Sequence, residues 1–457
     1  MTTTVRTTTR TVGTTSPATR VGPMGRIAFA SMATGALAAV GLIVGVVPDA
    51  SEARVIGAVM VAFATGWAML AFLTTRWTTQ PQRWAYVPAA VMATSGVVVA
   101  AINAGEPTMT RLSWVWAPAM VALGVWVWRQ ARRTMPGRSR LFIYPVASAM
   151  ALAGLGGLYQ ASAPSPTAAA EPMPGKLVDV GGYRLHLNCT GTGSPTVVLL
   201  NGLGEVSPLW ARIQPAVAAT SRVCTYDRAG QGWSDDSSNP ADATTAATDL
   251  HKLLTAAGEP GPFVLAGHSS GGIHALTYTH MYPSDVAGVV LLDSASPHQV
   301  ELVKTFNGEY QVMRRALAIA PTLFRSGIGH VLAAATPPAL PGQAGAQVST
   351  FTNSGRGWAN QRAEQAALPV AFRQAQALTT LGDTPLVVLT AKDNVDAKPG
   401  WGTAQDQMAA LSTNSRHTVE NQSHVGLLTD PTGATHAVAA ITDVLAAVRT
   451  HSPLPTR

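Results

Sequence analysis

The apolar residues of this chain follow two different patterns, one on each side of about residue 165. Before that point they form long stretches with few polar interruptions, at 26–47, 55–75, 84–104, 112–128 and 141–161. A helix needs about 20 apolar residues to cross the hydrocarbon core of a bilayer. The pattern therefore predicts an α-helical membrane domain of about five spans over residues 26–161.

The charged residues agree with this prediction. They make up only 12% of the chain, whereas soluble domains have about 25%. Residues 1–165 contain 13 arginines, no lysine and three acids, a net charge of +10, while the remainder carries −3. Because the basic excess belongs to the apolar part, we expect it to reflect membrane topology, with the lipid bilayer as a partner and no nucleic acid.

The arginines also predict an orientation. The tail at 1–25 is rich in threonine, carries three arginines and has no apolar period, so we expect it to be disordered. The loop at 129–140 carries five arginines, whereas the loop at 48–54 carries two acids and one arginine. By the positive-inside rule the N-terminus is cytoplasmic. Five spans would then place the remaining chain outside the cell membrane, and four spans would place it inside.

Beyond a Pro/Ala/Ser linker at 162–174, the pattern changes to short apolar runs separated by helical segments such as Thr245–Ala257. The runs that read as strands are Tyr183–Leu187, Thr196–Leu200, Val223–Tyr226, Phe263–Ala266, Val289–Leu292 and Leu386–Thr390. Buried strands that alternate with helices predict a mostly parallel sheet covered on both faces. We expect an α/β domain over 175–450.

One motif in this domain carries a nucleophile. Gly-His-Ser-Ser-Gly-Gly at 267–272 directly follows the strand Phe263–Ala266 and precedes the helical segment Ile273–Tyr282. In a strand-turn-helix context, G-x-S-x-G presents its serine on a sharp turn, with the hydroxyl at a helix N-terminus. Ser269 is the predicted nucleophile.

Two further segments supply partners for this serine. Asn-Gly-Leu-Gly at 201–204 follows an earlier strand, so the backbone N–H groups of Leu203 and Ser270 are candidate donors to a tetrahedral oxyanion. His424 follows the strand His417–Glu420 near the chain end, which gives the order Ser…acid…His. We expect His424 to be the general base.

The acid has two candidates. Asp293 ends the apolar strand Val289–Leu292, where a carboxylate needs a partner to be buried. Asp393 follows the strand Leu386–Thr390, in a segment that reads as a solvated loop. Asp293 is the first choice and Asp393 the alternative; either would orient the imidazole of His424 without taking its proton.

Three motifs in this order resemble the α/β-hydrolases of the proline-iminopeptidase, haloperoxidase and esterase type. They are DRAGQGWSD at 227–235, GHSSGG at 267–272 and SHVG at 423–426, and the resemblance covers about 175–450. It implies a Ser-His-Asp triad and a helical lid over about 295–384, with helical patterns at 299–319 and 357–381. One departure is Asn201, where relatives often have histidine.

The lid residues suggest the substrate. Apolar side chains in this segment predict a largely apolar acyl or alkyl pocket; they are Met313, Leu317, Phe324, Leu332 and Phe351. We therefore expect a membrane-anchored serine hydrolase that cleaves a small-molecule or lipid-like ester and uses no cofactor. The alternatives are aminopeptidase chemistry, with Glu301, Glu309 or Glu364 binding an amine, peroxidase-like chemistry, or a non-catalytic membrane sensor or assembly protein.

The chain has two cysteines, Cys189 and Cys224, and no Cys/His cluster with the spacing of metal ligands. Both fall on strands that are neighbours in the usual sheet order of the fold that the resemblance implies. In an oxidising exterior we expect them to form a disulfide.

Overall fold

The computed structural model describes residues 23–46, 50–327 and 339–455. The predicted tail at 1–25 lies outside these ranges except for its last three residues, which begin the first helix. Five long helices form the N-terminal region: α1 (Pro23–Gly41, continued as a π-helical turn Leu42–Val46), α2 (Glu52–Trp77), α3 (Tyr86–Ile102), α4 (Glu106–Thr134) and α5 (Tyr144–Ser162).

Small residues allow these helices to pack closely. A Cβ atom at Gly57 of α2 would lie 2.5 Å from the carbonyl oxygen of Gly96 on α3, and one at Gly154 of α5 would lie 2.6 Å from that of Ala117 on α4. Close backbone contact through glycine is typical of helices that pack within membranes. Helices α1, α2 and α3 thus form one group, and α4 packs antiparallel on α5 as a second.

Among the described residues, four helical segments are long and apolar enough to cross a membrane: Pro23–Gly45, Glu52–Trp77, Arg83–Ile102 and Gly137–Ser162. This number differs from the five spans that we predicted, because the stretch at 112–128 within α4 does not qualify by composition. Its tryptophans, Pro118 and flanking arginines lower its hydropathy. The predicted N-terminal helical region is confirmed, and its four candidate spans suggest association with a membrane.

The C-terminal region contains an eight-stranded sheet in the order β1-β2-β4-β3-β5-β6-β7-β8. The strands are β1 (Lys176–Asp179), β2 (Arg184–Thr190), β3 (Thr196–Leu200), β4 (Val223–Tyr226), β5 (Phe263–His268), β6 (Val286–Leu292), β7 (Leu386–Ala391) and β8 (Ser415–Glu420). Only the pairs β1–β2 and β2–β4 are antiparallel. The predicted mostly parallel sheet is confirmed, and β1 is a strand that we did not predict.

Helices cover both faces of this sheet, so β3, β5 and β7 are buried along their whole length. The helices are α6 (Pro166–Ala169), α7 (Gln214–Ala218), α8 (Ala243–Ala257), α9 (Ser270–Met281), α10 (Gln299–Leu302), α11 (Phe306–Arg325), α12 (Ala344–Thr352), α13 (Gly355–Ala375), α14 (Lys392–Ala397), α15 (Trp401–Ala409), α16 (Gly426–Thr429) and α17 (Pro431–Thr450).

Helices α10 to α13, between β6 and β7 in the chain, make up the segment that we predicted as a lid. The lid also contacts the membrane helices, because α11 packs on α2 and α5. Arg315 Nε donates to the carbonyl of Val44 at 2.9 Å, and Arg362 donates to the carbonyl of Ala50. Leu332, one of the predicted pocket residues, lies outside the described residues.

Cys189 on β2 and Cys224 on β4 are directly opposite each other in the antiparallel pair and are joined by a disulfide. The structure thus brings together the two cysteines of the predicted pair. The Glu259 carboxylate lies close to both sulfur atoms. Because the sulfurs are bonded to each other, this group does not offer the thiolates that a metal ion would need.

Candidate active site

Ser269 occupies the turn between β5 and α9, with φ +54° and ψ −126°. This is an unusual conformation for a residue with a side chain, so it must be held by its surroundings. The Ser269 N–H donates to the carbonyl of Leu292 at 3.2 Å, and the Ser269 carbonyl accepts from the N–H of Ala295 at 3.0 Å. The backbone of the serine is thus fixed from both sides by the segment that follows β6.

Two glycines after the serine are required by close backbone contacts. A Cβ atom at Gly271 would lie 2.2 Å from the carbonyl oxygen of Leu200, and one at Gly272 would lie 1.8 Å from Ser294 Oγ. Neither position has room for a side chain. The glycines therefore let the start of α9 approach β3 closely enough to hold the sharp turn at Ser269.

The backbone N–H groups of Leu203 and Ser270 make no hydrogen bond to any residue in the described ranges. Ser270 is the first residue of α9, where N–H groups have no partner within the helix. The loop that carries Leu203 lies beside the nucleophile, because a Cβ atom at Gly202 would be 2.8 Å from Ser269 Cβ. Both predicted oxyanion donors are therefore free and next to Ser269.

Arg228 orients the loop that carries Leu203. Its guanidinium donates to the carbonyl of Asn201 at 2.5 Å and to that of Gly202 at 2.9 Å. In a trans peptide the C=O and the N–H point in opposite directions. Because Arg228 holds the Gly202 carbonyl, the N–H of Leu203 in the same peptide points away from Arg228 and stays free.

The lid holds Arg228 in place. Glu364 of α13 is buried and lies 2.9 Å from the Arg228 guanidinium, with which it forms an ion pair. It also accepts from Gln231 at 3.0 Å and from the N–H of Gly204 at 3.3 Å. One lid carboxylate thus anchors both the arginine and the loop of the oxyanion donors. Sequence reasoning missed this role of Glu364.

Asn201 has a structural role at the position where relatives often have histidine. Its side chain donates to the carbonyl of Tyr226 at 2.9 Å and accepts from Trp210 Nε1 at 2.7 Å. Both bonds are buried and tie the end of β3 to its neighbours. Asn201 therefore anchors this loop, although it departs from the family motif.

Asp293 lies immediately after β6, fully buried, with φ +41°. It accepts hydrogen bonds from the N–H of Ala391 at 3.1 Å, from Trp401 Nε1 at 2.8 Å and from Asn394 Nδ2, and it lies 2.6 Å from Nδ1 of His424. Burial raises the pKa of Asp293, but the hydrogen bond and charge of His424 and the other donors lower it overall. The carboxylate is ionised and orients His424.

The alternative acid, Asp393, lies in the first turn of α14 and is exposed to solvent. Its carboxylate makes no hydrogen bond within the part of the chain that the structure describes. The structure therefore brings Asp293 to His424 and leaves Asp393 at the surface. Trp401 and Asn394 both donate to Asp293, whereas Asp393, the neighbour of Asn394 on α14, is exposed to solvent.

Among the described residues, the hydroxyl of Ser269 makes no hydrogen bond. The Ser269–His424 contact that proton transfer requires is therefore not formed in this structure. Such contacts are often long in unliganded enzymes and shorten when substrate binds. The ring of His424 is partly exposed and lies against the ring of His268, the residue before the nucleophile, with 4.5 Å between ring centroids.

His268 and Glu205 form a buried pair that sequence reasoning missed. Nδ1 of His268 lies 2.6 Å from Glu205 Oε1, and Nε2 donates to the carbonyl of His424 at 3.1 Å. The other Glu205 oxygen accepts from the N–H of Gly202. A carbonyl only accepts, so Nε2 carries a proton, and Nδ1 faces a carboxylate that also accepts. The geometry fits an imidazolium beside a carboxylate.

The electrostatics of this pair agree with its geometry. Burial lowers the pKa of His268, but the charge and hydrogen bond of Glu205 raise it above its ordinary value overall. Burial raises the pKa of Glu205, but His268 lowers it overall. Burial and then the charge of His268 lower the pKa of His424, against the opposing effect of Asp293. The pair therefore favours the neutral, basic form of His424.

A sequence signal for this pair does exist. His268 is the last residue of a buried strand and Glu205 follows a tight turn after another, and buried polar groups at such positions need partners. The sequence offers several partners for each, so the pairing itself depends on the sheet order that makes β3 and β5 neighbours.

A cavity of about 260 Å³ adjoins Leu203 and Gly204 on the lid side. Phe351 and Trp358 form part of its wall, and the ring of Phe324 packs at a tilt against Trp358 with 4.7 Å between ring centroids. The remaining lining is more polar than we predicted from the lid sequence; it includes Gln231, Ser354, Arg356, Asn360 and Gln361. Of the other predicted pocket residues, Leu317 is buried and Met313 is exposed.

Comparison with known proteins supports a hydrolase. Residues 195–326 match the family described as alpha/beta hydrolase fold. A protein from Hormonema carpetanum named as a probable transporter, efuK, is 35% identical over 130 residues, which are 27% of this chain and 19% of that protein. The 2-hydroxy-6-oxononadienedioate/2-hydroxy-6-oxononatrienedioate hydrolase of Cupriavidus pinatubonensis is 30% identical over 140 residues, which are 28% of this chain and 48% of that protein.

The chain thus spans less than half the length of these two relatives. Among solved structures, a mutant of a Pseudomonas aeruginosa protein named as an epoxide hydrolase aligns with a TM-score of 0.50 at 19% identity. The alignment covers 61% of this chain and 98% of that one. Together the comparisons confirm the fold of the C-terminal region and support hydrolytic activity.

Proposed function

Because the C-terminal region is an α/β-hydrolase domain that follows apolar membrane helices, we propose that this protein is a membrane-anchored serine hydrolase acting on esters. The observation that carries the proposal is the arrangement at the carboxyl ends of the parallel strands. Ser269 stands on a constrained turn beside two free N–H groups, and a buried carboxylate, Asp293, lies 2.6 Å from His424.

In the proposed mechanism, His424 takes the proton of Ser269 as the serine Oγ attacks the carbonyl carbon of the ester. The N–H groups of Leu203 and Ser270 stabilise the tetrahedral oxyanion. His424 then gives its proton to the leaving alcohol, and an acyl-enzyme remains. Water, activated by His424 in the same way, attacks the acyl group and releases the acid. Asp293 remains ionised and stabilises the imidazolium.

The acidic residues of the lid favour an ester substrate over an aminopeptidase substrate. Glu364 is occupied by Arg228 and Gln231, so it is not free to bind a substrate amine. Glu301 and Glu309 are exposed at the surface. The cavity beside Leu203 has two aromatic residues in an otherwise largely polar wall, and the aromatic side can receive a small acyl or alkyl group.

A non-catalytic membrane sensor is the less favoured alternative. A domain without catalysis would have no need of a strained Ser269, a buried carboxylate on His424 and two unbonded N–H groups in one place. Strained residues and unpaired polar groups persist where function requires them. The retained arrangement therefore supports an enzyme.

We further propose that the hydrolase domain lies outside the cytoplasmic membrane, with the N-terminus inside. The arginine distribution supports this orientation if α4 crosses the bilayer beside α5, and the Cys189–Cys224 disulfide suits an oxidising compartment. A reporter fused after residue 170 should give an exterior signal. A cytoplasmic signal would mean that α4 does not cross and that this orientation is wrong.

Labelling with a fluorophosphonate tests the enzymatic proposal directly. The wild-type protein should react at Ser269, and Ser269→Ala should abolish the label. Ser270→Ala is a matched control, since it removes a neighbouring hydroxyl but keeps the backbone N–H; it should retain the label. A folded wild-type protein that does not react, or a Ser269→Ala variant that reacts equally, would refute the assignment.

A further inference from the structure

A cleft opens between the two groups of membrane helices. Helices α3 and α4 are joined by a short connection at 103–105, yet α3 packs on α2 and α4 packs on α5. The space between the groups is a cavity of about 260 Å³. Its walls are mainly apolar and include Met60 of α2, Val99 of α3, and Leu112 and Trp116 of α4.

The end of the cleft at the lid is polar. Thr322 and Arg325 of α11 line it there, together with Ser326, which follows the helix. Arg325 is buried and forms ion pairs with Glu52 of α2 and, at 3.4 Å, with Glu106 of α4. The cavity therefore has an apolar shaft among the membrane helices and a polar end where those helices meet the lid.

One donor at this polar end has no partner. Arg325 Nε is buried and makes no hydrogen bond to any residue that the structure describes, although the other nitrogens of the guanidinium bind Glu52 and Glu106. A buried donor without a hydrogen-bond partner is destabilising. A residue that lines the polar end of the cleft therefore carries a donor without a partner.

The net charge at the polar end of the cleft determines which kind of hydrogen-bond acceptor can bind there. Two carboxylates, Glu52 and Glu106, face the single positive charge of Arg325. The cluster is therefore negative overall, and it disfavours a second anion such as a fatty-acid carboxylate. A neutral acceptor such as an ester carbonyl oxygen meets the free Nε–H without that repulsion.

We propose that this cleft binds one acyl chain of an ester-linked membrane lipid, with the ester carbonyl oxygen at Arg325 Nε. The walls are apolar, and cavities of that kind do not hold water well. Acyl chains are the apolar molecules that surround these helices in a bilayer. The site contains neither Ser269 nor His424, so it goes beyond the proposed hydrolysis and does not depend on it.

A competition experiment on the wild-type protein tests the ligand chemistry. The full chain, reconstituted in vesicles of phosphatidylcholine with a diazirine in one acyl chain, is irradiated, and the cross-linked peptides are mapped by mass spectrometry. We expect a cross-link on the cleft faces of α3 and α4. Monoolein, a neutral ester, should reduce this cross-link at least about tenfold, whereas oleate at the same concentration should not. Equal competition by oleate would overturn the proposal.

A pair of variants on α3 tests the location. Ser95 lines the cleft, whereas its neighbour Thr94 is exposed and does not. Ser95→Phe fills the cleft and should lose the cross-link, while Thr94→Phe adds the same bulk on the outer face and should keep it. Retention of the cleft cross-link in Ser95→Phe would refute the site. The labelling of Ser269 by a fluorophosphonate, measured on the same samples, reports separately on the proposed enzymatic function.

Discussion

Replacing His268 with glutamine is expected to make the labelling of Ser269 more sensitive to acid. His268 is buried between Glu205 and the carbonyl of His424, and its ring lies against that of His424. Glutamine keeps an N–H donor for the His424 carbonyl but removes the positive charge. Without that charge the imidazolium form of His424 is more stable, so the pKa of His424 rises. His424 is then protonated, and inactive as a base, at higher pH than in the wild type.

The distance between the rings gives the size of the effect. Two unit charges 4.5 Å apart in an effective dielectric constant of about 20 repel each other by about 4 kcal/mol. The nearby carboxylates of Glu205 and Asp293 offset part of this repulsion. If about one third remains, about 1.4 kcal/mol, the protonation equilibrium of His424 changes about tenfold.

The assay is the rate of fluorophosphonate labelling at about pH 5 divided by the rate at about pH 8. Burial and the charge of His268 hold the pKa of His424 below its ordinary value of 6.5 in the wild type. The base is therefore available at lower pH than usual. In His268→Gln the ratio should fall about tenfold. A ratio removes any loss of rate that is the same at both pH values, such as a small displacement of the turn.

Glu205→Gln provides the matched control. It removes a negative charge that raises the pKa of His424, and it also removes the partner that keeps His268 charged, which has the opposite effect. These effects oppose each other, so the ratio should change less than in His268→Gln. A folded His268→Gln protein with the wild-type ratio, or a larger change in Glu205→Gln, would refute the reasoning.

Three more predictions concern other contacts. Asp293→Asn should slow labelling about 10⁴-fold because it no longer fixes the imidazole, whereas Asp393→Asn should label at the wild-type rate. Arg228→Lys should lower kcat for a nitrophenyl ester about 10- to 100-fold with little change in KM, since lysine lacks the fork that holds two loop carbonyls. The double substitution Cys189→Ser, Cys224→Ser opens a link across 35 residues and should lower the free energy of unfolding by about 4 kcal/mol, measured by urea denaturation.

Each of these has a result that contradicts it. If Asp293→Asn and Asp393→Asn both label at the wild-type rate, neither carboxylate supports His424. A rise in KM alone for Arg228→Lys would place the arginine in substrate binding and not in orienting the oxyanion donors. An unchanged unfolding midpoint after the cysteines are replaced, or two free thiols found by intact mass in protein purified without reductant, would argue against the disulfide.

Local sequence was enough to predict seven of the eight strands of the hydrolase domain, and it missed β1. The strand Phe263–Ala266, the turn at Ser269 and the following helix are adjacent in the chain, so one short segment shows the pattern that presents the serine. The long apolar stretches likewise predicted the membrane helices. The exception was α4, whose tryptophans, Pro118 and flanking arginines lower its hydropathy, so that composition alone does not define it as a span.

The candidate site depended more on contacts between distant residues. The sequence left the acid open between Asp293 and Asp393, because both follow apolar strands. Only the packed structure distinguishes them, since the donors to Asp293 come from β7, α14, α15 and the loop after β8.

By itself, the sequence determined a membrane helical region, an α/β-hydrolase domain and the serine turn, because hydrophobic period and turn residues act over a few positions. The tertiary structure decided which charged groups meet: Glu205 with His268, Arg228 with Glu364, and Arg325 with the acids of α2 and α4. These pairs are separated by 63 to 273 residues. A buried charge needs a partner, but its own neighbourhood in the chain does not specify which one.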